Sequence, residues 1–254
     1  MSNGRRIEGI HELVVVEGPQ ARSFLDGLLS QDLGGLEATK SMRSLLLAPQ
    51  GKLRALLWVA GDAERVNLIT DAGIGKQVAD DLRHYKIRIK ATISEPIPVT
   101  TVVDSVPEGA ISAPLGSHER AFSPDPVDLP ALELGEWERL RIEAGEPVMG
   151  VDVDEGTIPQ ETGLVDEAVS FSKGCFLGQE LVARLDSRHG RVNRHLRRVR
   201  LDEIPALPAP VTDDGGFITS AAAVAEGALG LGLLHRRINS GDQIEAAGVR
   251  GVIL

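Results

Sequence analysis

Val169-Ser170-Phe171-Ser172-Lys173-Gly174-Cys175-Phe176-Leu177-Gly178-Gln179-Glu180-Leu181-Val182-Ala183-Arg184 surrounds the only cysteine of the 254-residue chain. Lys173 stands two residues before the thiol. Gly174 and Gly178 bracket it with positions where the backbone can bend or approach a ligand closely. A nearby ammonium favours thiolate over thiol. If Gly178-Gln179-Glu180 opens a helix running to Arg184, the free amides of its first turn push the thiol the same way. The pattern reads as a redox- or metal-competent thiol. The competing reading is a small buried hydrophobe, the commoner role of a lone cysteine.

Downstream, seven arginines (184, 188, 191, 194, 197, 198 and 200) and two histidines fall between Arg184 and Arg200, opposed only by Asp186. This stretch reads either as a solvated strand or loop face or as an anion-binding one. The six histidines show no Ser-His-Asp arrangement and no metal-ligand spacing, and His189 and His195 read as exposed loop residues. The chain as a whole is acidic, with net charge -10 and pI near 5.1, which argues against broad nucleic-acid or anionic-membrane binding. Hydrophobic residues at 42% and charged residues at 25% are enough for an ordinary folded core. Met1 to Glu12 is polar, and the apolar run Leu13 to Val16 that follows is far too short for a signal sequence or membrane span. One cysteine excludes an internal disulfide framework and a cysteine-rich metal site held by this chain alone. A cytoplasmic setting is expected.

Upstream, Leu13 to Val16 reads as a buried strand, and Gly18-Pro19 opens a helix carrying Phe24, Leu25, Leu28 and Leu29. Ser44 to Leu47 and Leu53 to Val59 flank the turn-rich Ala48-Pro49-Gln50-Gly51-Lys52 and predict a hairpin. Val66 to Thr70 adds a strand. Ile74, Val78, Leu82 and Tyr85 mark an amphipathic helix, and Ile87, Ile89, Ala91 and Ile93 alternate as a half-buried strand would. Five prolines (107, 114, 124, 126 and 130) make residues 104–134 read as loop or linker. Glu136 to Ala144 reads as a helix stopped by Gly145 and Pro147. Leu196 to Leu201, Phe217 to Ser220, Ala228 to Leu234 and Gln243 to Glu245 read as short strands separated by glycine turns. The class is α+β.

The cysteine segment resembles the diagnostic stretch of the folate-binding YgfZ family, within the glycine-cleavage T-protein (aminomethyltransferase) superfamily. Leu140-Arg141-Ile142-Glu143-Ala144-Gly145-Glu146-Pro147 and Ile158-Pro159-Gln160-Glu161 resemble the segments that precede it there. Gly18-Pro19 with Phe24-Leu25, and Thr219-Ser220-Ala221-Ala222 with Leu229-Gly230-Leu231-Gly232, resemble the family's opening and its closing barrel. The resemblance implies a T-protein-like arrangement of three domains around a central folate-sized cavity. These are a discontinuous first domain of residues 1–47 and 136–193, a second α+β domain of residues 48–135, and a C-terminal β-barrel of residues 194–254. It also implies a folate-dependent accessory role in iron-sulfur cluster assembly or repair, with tetrahydrofolate or a derivative as cofactor and iron-sulfur assembly or client proteins as partners. One thiolate cannot hold a cluster alone, but Cys175 could supply one ligand to a cluster bridged between two proteins. Cys175 and Lys173 are then the functional pair.

The rival branch is aminomethyl transfer, whose members carry paired aspartates in a Gly-x-x-Asp-Asp-Leu pattern. The matching stretch here is Gly51-Lys52-Leu53-Arg54-Ala55-Leu56. Arg54 stays protonated and cannot act as a general base near neutral pH, so transferase chemistry is disfavoured. The transferases' Gly-Tyr-Thr-Gly-Glu segment is also missing. The remaining folate candidates are Glu161, whose carboxylate could accept from pterin N–H groups, Arg141, which could meet the glutamate tail or ring, and Arg184, a bidentate cation for a thiolate or a folate carboxylate. Gln179 and Glu180 stand either at the ligand or as structural parts of the turn.

Overall fold

The computed structural model of the protein describes residues 4–186 and 192–254. Its central strand β1 (Arg5–Glu17) explains the apolar run near the N-terminus. Val14 and Val16 enter one core and Leu13 with Val15 another, because the sheet is covered on both faces. After helix α1 (Ala21–Asp26), the chain forms the hairpin β2 (Met42–Leu47) and β3 (Leu53–Gly61), then β4 (Arg65–Asp71) and helix α2 (Gly75–Tyr85). A two-residue strand β5 (Thr92–Ile93), then β6 (Ile97–Val103), β7 (Ile111–Ser112) and β8 (Arg120–Ser123) complete an eight-stranded antiparallel sheet. Its order is β2-β3-β4-β1-β6-β8-β7, with β5 paired to the end of β1.

Helices α1 and α2 cover one face through Phe24, Leu25, Val78, Ala79 and Leu82. Helix α3 (Leu134–Ala144) covers part of the other, packing Trp137 and Leu140 on Ile7 and Val103. Beside it, Met149, Val153, Leu164, Ala168, Val169 and Phe176 pack on Leu45, Leu47, Leu53 and Leu56. Helices α4 (Val165–Ala168) and α5 (Gln179–Asp186) lie along this layer. Strands β9 (Arg194–Leu201), β10 (Ala209–Val211), β11 (Gly216–Ala223), β12 (Ala228–His235), β13 (Gln243–Ala246) and β14 (Val249–Ile253) close into a six-stranded barrel, ordered β10-β11-β12-β9-β14-β13. Gly232 is required in β12, since a Cβ there would stand 2.1 Å from the carbonyl oxygen of Phe217.

Two elements differ from expectation. The strand read over Ile87 to Ile93 shrinks to its last two residues: Ile89, Ala91 and Ile93 reach the core, but only Thr92 and Ile93 pair with β1, and Ile87 is 74% exposed. Residues 104–134, read as loop, supply β7 and β8, with Ala121 and Phe122 fully buried. All five prolines flank these short strands without entering them, so no ladder hydrogen bond is lost. The sheet continues across residue 47 through the β2–β3 hairpin, so residues 1–47 and 48–135 share it, while the barrel takes up residues from 194 onward. No helix among the described residues is long and apolar enough to cross a membrane.

Candidate functional site

The cysteine loop is stitched to two distant segments. Ser30, beyond α1, donates its hydroxyl to Ala168 O at 2.6 Å, accepts from the Leu45 amide at 2.9 Å, and receives the Ser170 amide on its carbonyl at 2.9 Å. The Lys173 side chain, only 2% exposed, then reaches under the loop. Its Nζ donates to Asp26 O at 2.7 Å, Asp26 Oδ1 at 3.0 Å, Leu29 O at 3.0 Å and Gln31 O at 2.8 Å. Phe176 is buried on the far side, and its amide donates to Gln179 Oε1 at 3.0 Å. Gly178 has φ +77 and abuts the β2–β3 turn, where a Cβ would lie 2.5 Å from Ala48 O.

Between these anchors Cys175 is exposed. The buried-hydrophobe reading therefore does not describe this residue. Lys173 directs its ammonium to Asp26, Leu29 and Gln31; it holds the loop that presents the thiol. The expected reactive pair becomes a thiol and its tether. Gln179 closes the loop as a cap, and Glu180 and Arg184 lie on the exposed side of α5.

Arg141 and Glu161 sit elsewhere, each already paired. Arg141 is 2% exposed, donates Nη1 to Asp152 Oδ2 at 2.8 Å and Nη2 to Ser220 Oγ at 2.6 Å, and pairs with Glu138 through Nε at 2.9 Å. Burial works against its charge, but the Glu138 hydrogen bonds and the Asp152 carboxylate outweigh it and raise its pKa. Asp152 Oδ1 in turn accepts from Thr219 and Ser220 of β11 at 2.6 Å each. Arg141 thus locks α3 to the barrel. Glu161 receives both Nε and Nη2 of Arg194, at 3.0 and 3.1 Å, and accepts the Ile158 amide at 3.1 Å. Within the arginine stretch, Arg194 and Arg198 tie β9 to Glu161 and to Glu143 O, while Arg188, His189 and Arg191 lie outside the described residues.

A cavity of about 510 Å³ opens between β2, β3, the C-terminal end of α3 and the segment leading to the cysteine loop. Ser41, Arg43, Trp58, Gly145, Glu146 and Glu167 line it. None of the residues expected at a folate from the sequence is among its lining. The Arg43 guanidinium lies 4.2 Å from the Trp58 ring centroid and donates Nη2 to Glu146. The fully buried Arg120 donates Nη1 to the other oxygen of Glu146 and Nε to Ala113 O at 2.8 Å. Burial alone would raise the pKa of Glu146, but Arg120 and Arg43 outweigh it and hold the carboxyl below its ordinary range. Arg43 Nη1 is buried and has no hydrogen-bond partner.

Glu146 also walls a second chamber of about 200 Å³ lined by His11, Asp71, Trp137 and Arg141. Asp71 is 4% exposed and accepts the Met149 amide at 2.8 Å. Desolvation, joined by the Glu146 charge, overcomes the Met149 hydrogen bond and lifts its pKa to about 7. His11 donates or accepts at Thr101 Oγ1 at 2.8 Å amid Trp58, Phe122 and Trp137, and burial with the Arg120 charge holds its pKa well below the ordinary value. Arg54, where the transferases carry an acid, faces away from the large cavity and pairs with Asp81 at 2.8 Å and with Glu155. Sequence reasoning passed over Arg43, Trp58 and Asp71. Glu146 stood inside a quoted segment, beside the helix-stopping Gly145, without a role.

No family model matches the chain. It is similar to the mitochondrial iron-sulfur cluster assembly factor IBA57 of Mus musculus, at 29% identity over 91% of this chain and 76% of that protein. It is similar to the tRNA-modifying protein YgfZ of Edwardsiella ictaluri, at 27% identity over 68% of this chain and 64% of that protein. In structure it matches the glycine cleavage system aminomethyltransferase T from Bartonella henselae with a TM-score of 0.81, over 99% of this chain and 84% of the other, at 17% identity, a likeness of fold alone. The resemblance read from the cysteine segment is borne out, as is the α+β T-protein-like fold with its C-terminal barrel.

Proposed function

We propose that this relative of the YgfZ and IBA57 proteins is a cytoplasmic, folate-binding accessory factor for iron-sulfur cluster assembly or repair, with Cys175 as its one contribution to a cluster shared with a partner. The observation that carries the reading is the exposed thiol on a loop pinned from beneath by Lys173. An anchored, accessible thiol costs little reorganisation on meeting a partner's iron. The remaining ligands come from the partner or from small thiols, since one thiolate cannot complete a cluster. Names of relatives support the direction: one acts in iron-sulfur assembly, the other in tRNA modification. Direct contact with tRNA is the weaker reading for a chain of net charge -10.

Folate is assigned to the large cavity. Its volume, about 510 Å³, falls within the ~300–1,000 Å³ usual for small-molecule sites. Arg43, held over the buried ring of Trp58, lines it beside Met42 and Pro114 and so sets a cation next to an apolar wall. One-carbon transfer is the alternative, and it has no support at Arg54, whose partners are Asp81 and Glu155.

Anaerobic reconstitution with a monothiol glutaredoxin, iron and sulfide tests the proposal. The intact chain is expected to yield a visible cluster spectrum and bound iron, and Cys175→Ser neither. A Cys175→Ser protein with wild-type spectrum and iron content would overturn it.

A further inference from the structure

We infer that Arg43 is the residue that selects the ligand of the large cavity, by donating from Nη1 to an sp² oxygen of that ligand, a carboxylate or a ring carbonyl. The identity of the ligand as a folate rests on the proposed function above; the role of Arg43 does not.

The two guanidinium groups beside Glu146 use their donors differently. Arg120 spends its donors on Ala113 O, Glu146 and, at 3.4 Å, Pro114 O. It is fully buried and already gives Glu146 a charge partner. Arg43 adds a second cation to the same carboxylate through Nη2 alone. Two guanidinium groups therefore share one carboxylate in an interior of low dielectric, where an unmatched donor is destabilising.

The geometry is also fixed in advance. Stacking on Trp58 at 4.2 Å sets the plane of the Arg43 guanidinium, and the Glu146 bond sets its rotation within that plane. Arg43 lines the cavity, and its Nη1 is left buried and unpartnered just behind that wall. A residue serving only to neutralise Glu146 would have no reason to hold a free edge there. An anion or carbonyl oxygen arriving at Nη1 completes the donor set and offsets the surplus positive charge.

Folate carries the required oxygen at both ends, in its glutamate carboxylates and in its pteridine 4-oxo group, and the test separates them. Binding of the full-length chain to 5-formyltetrahydrofolate, to p-aminobenzoylglutamate and to tetrahydropterin is measured by calorimetry, for the wild type, Arg43→Lys and Arg43→Gln. Lysine keeps the charge but loses the planar fork. Both variants are expected to bind intact folate about tenfold or more weakly, with the same loss for the fragment whose oxygen meets Nη1 and less than about twofold for the other. If one variant does not fold, the other carries the comparison. Ligand docking must also change the tryptophan emission of the unsubstituted chain, because Arg43 lies on Trp58.

Wild-type affinity for all three ligands in either folded variant overturns the inference while leaving the folate reading intact. Wild-type binding of the carboxylate fragment alone, lost in the variants, sinks the folate reading and keeps Arg43. Absence of binding to all three by the wild type overturns both, since the probes offer the carboxylate and the ring carbonyl that Nη1 is inferred to meet.

Discussion

The ammonium of Lys173 lies 3.0 Å from Asp26 Oδ1 and 2.7 Å from the carbonyl oxygen of the same residue, across 147 positions of sequence. Lys173→Met leaves Asp26 O, Leu29 O and Gln31 O without that donor. The expected cost is about 1–3 kcal/mol, moderated because Asp26 is 40% exposed. Thermal unfolding should fall by several degrees, ~2–4 °C per kcal/mol for a chain of this size. Iron loading should fall in step with loop order, and unchanged melting would refute the tether.

Cys175→Ser alters an exposed side chain and is expected to change stability by less than ~0.5 kcal/mol. In the folded wild type, a thiol reagent such as dithionitrobenzoate should titrate one thiol without denaturant. A thiol that reacts only after unfolding would contradict the exposed loop.

Asp71→Asn tests the buried acid. Because its folded pKa, about 7, lies above the ordinary 3.8, the folded state holds a proton that the unfolded chain has released between those values. Wild-type stability should therefore decline as pH rises from 4 to 7, by an amount on the order of 1 kcal/mol per unit, and level off above. Glu146 opposes ionisation while Arg43 and Arg141 favour it, and neutral His11 adds no charge. The asparagine variant, able to keep the Met149 contact, should gain on the wild type as pH rises. Urea melts at pH 5.5 and 8 decide; a constant difference would refute the assignment.

Arg141→Met removes the bridge between α3 and β11 and strands Asp152, whose side chain is fully buried. Breaking one partner from such a pair costs ~3–5 kcal/mol. Limited proteolysis should then cut in the barrel before the sheet, and cleavage at the wild-type rate and sites would argue against the lock.

The cysteine loop, the β2–β3 hairpin, helices α2 and α3 and the barrel strands were legible because each carries a local signal: a glycine turn, a 3.6-residue stripe or alternation. Strands β7 and β8 were hidden because they are two and four residues long and embedded among prolines, so only the pairing partner β6 defines them. The site was half legible. The segment around Cys175 stood out from its motif, but the exposure of the thiol did not follow from it, and the acceptors of Lys173 lie in a segment nothing in the sequence connects to it. Arg141 and Glu161 looked available because a sequence shows charges without their partners. Arg43 looked like an ordinary strand residue, and only the stacking of Trp58 and the sharing of Glu146 give it meaning.

The long reach from Lys173 to Asp26 also bears on how the chain is made. Every acceptor of the Lys173 ammonium, from Asp26 to Gln31, and the Ala48 turn that seats Gly178, leaves the ribosome well before the thiol does. The loop is a late piece closing on an early surface, and its closure waits only for residues near 180. A nascent chain that ends before residue 175 carries no thiol, and one that passes it finds the acceptors of Lys173 already made.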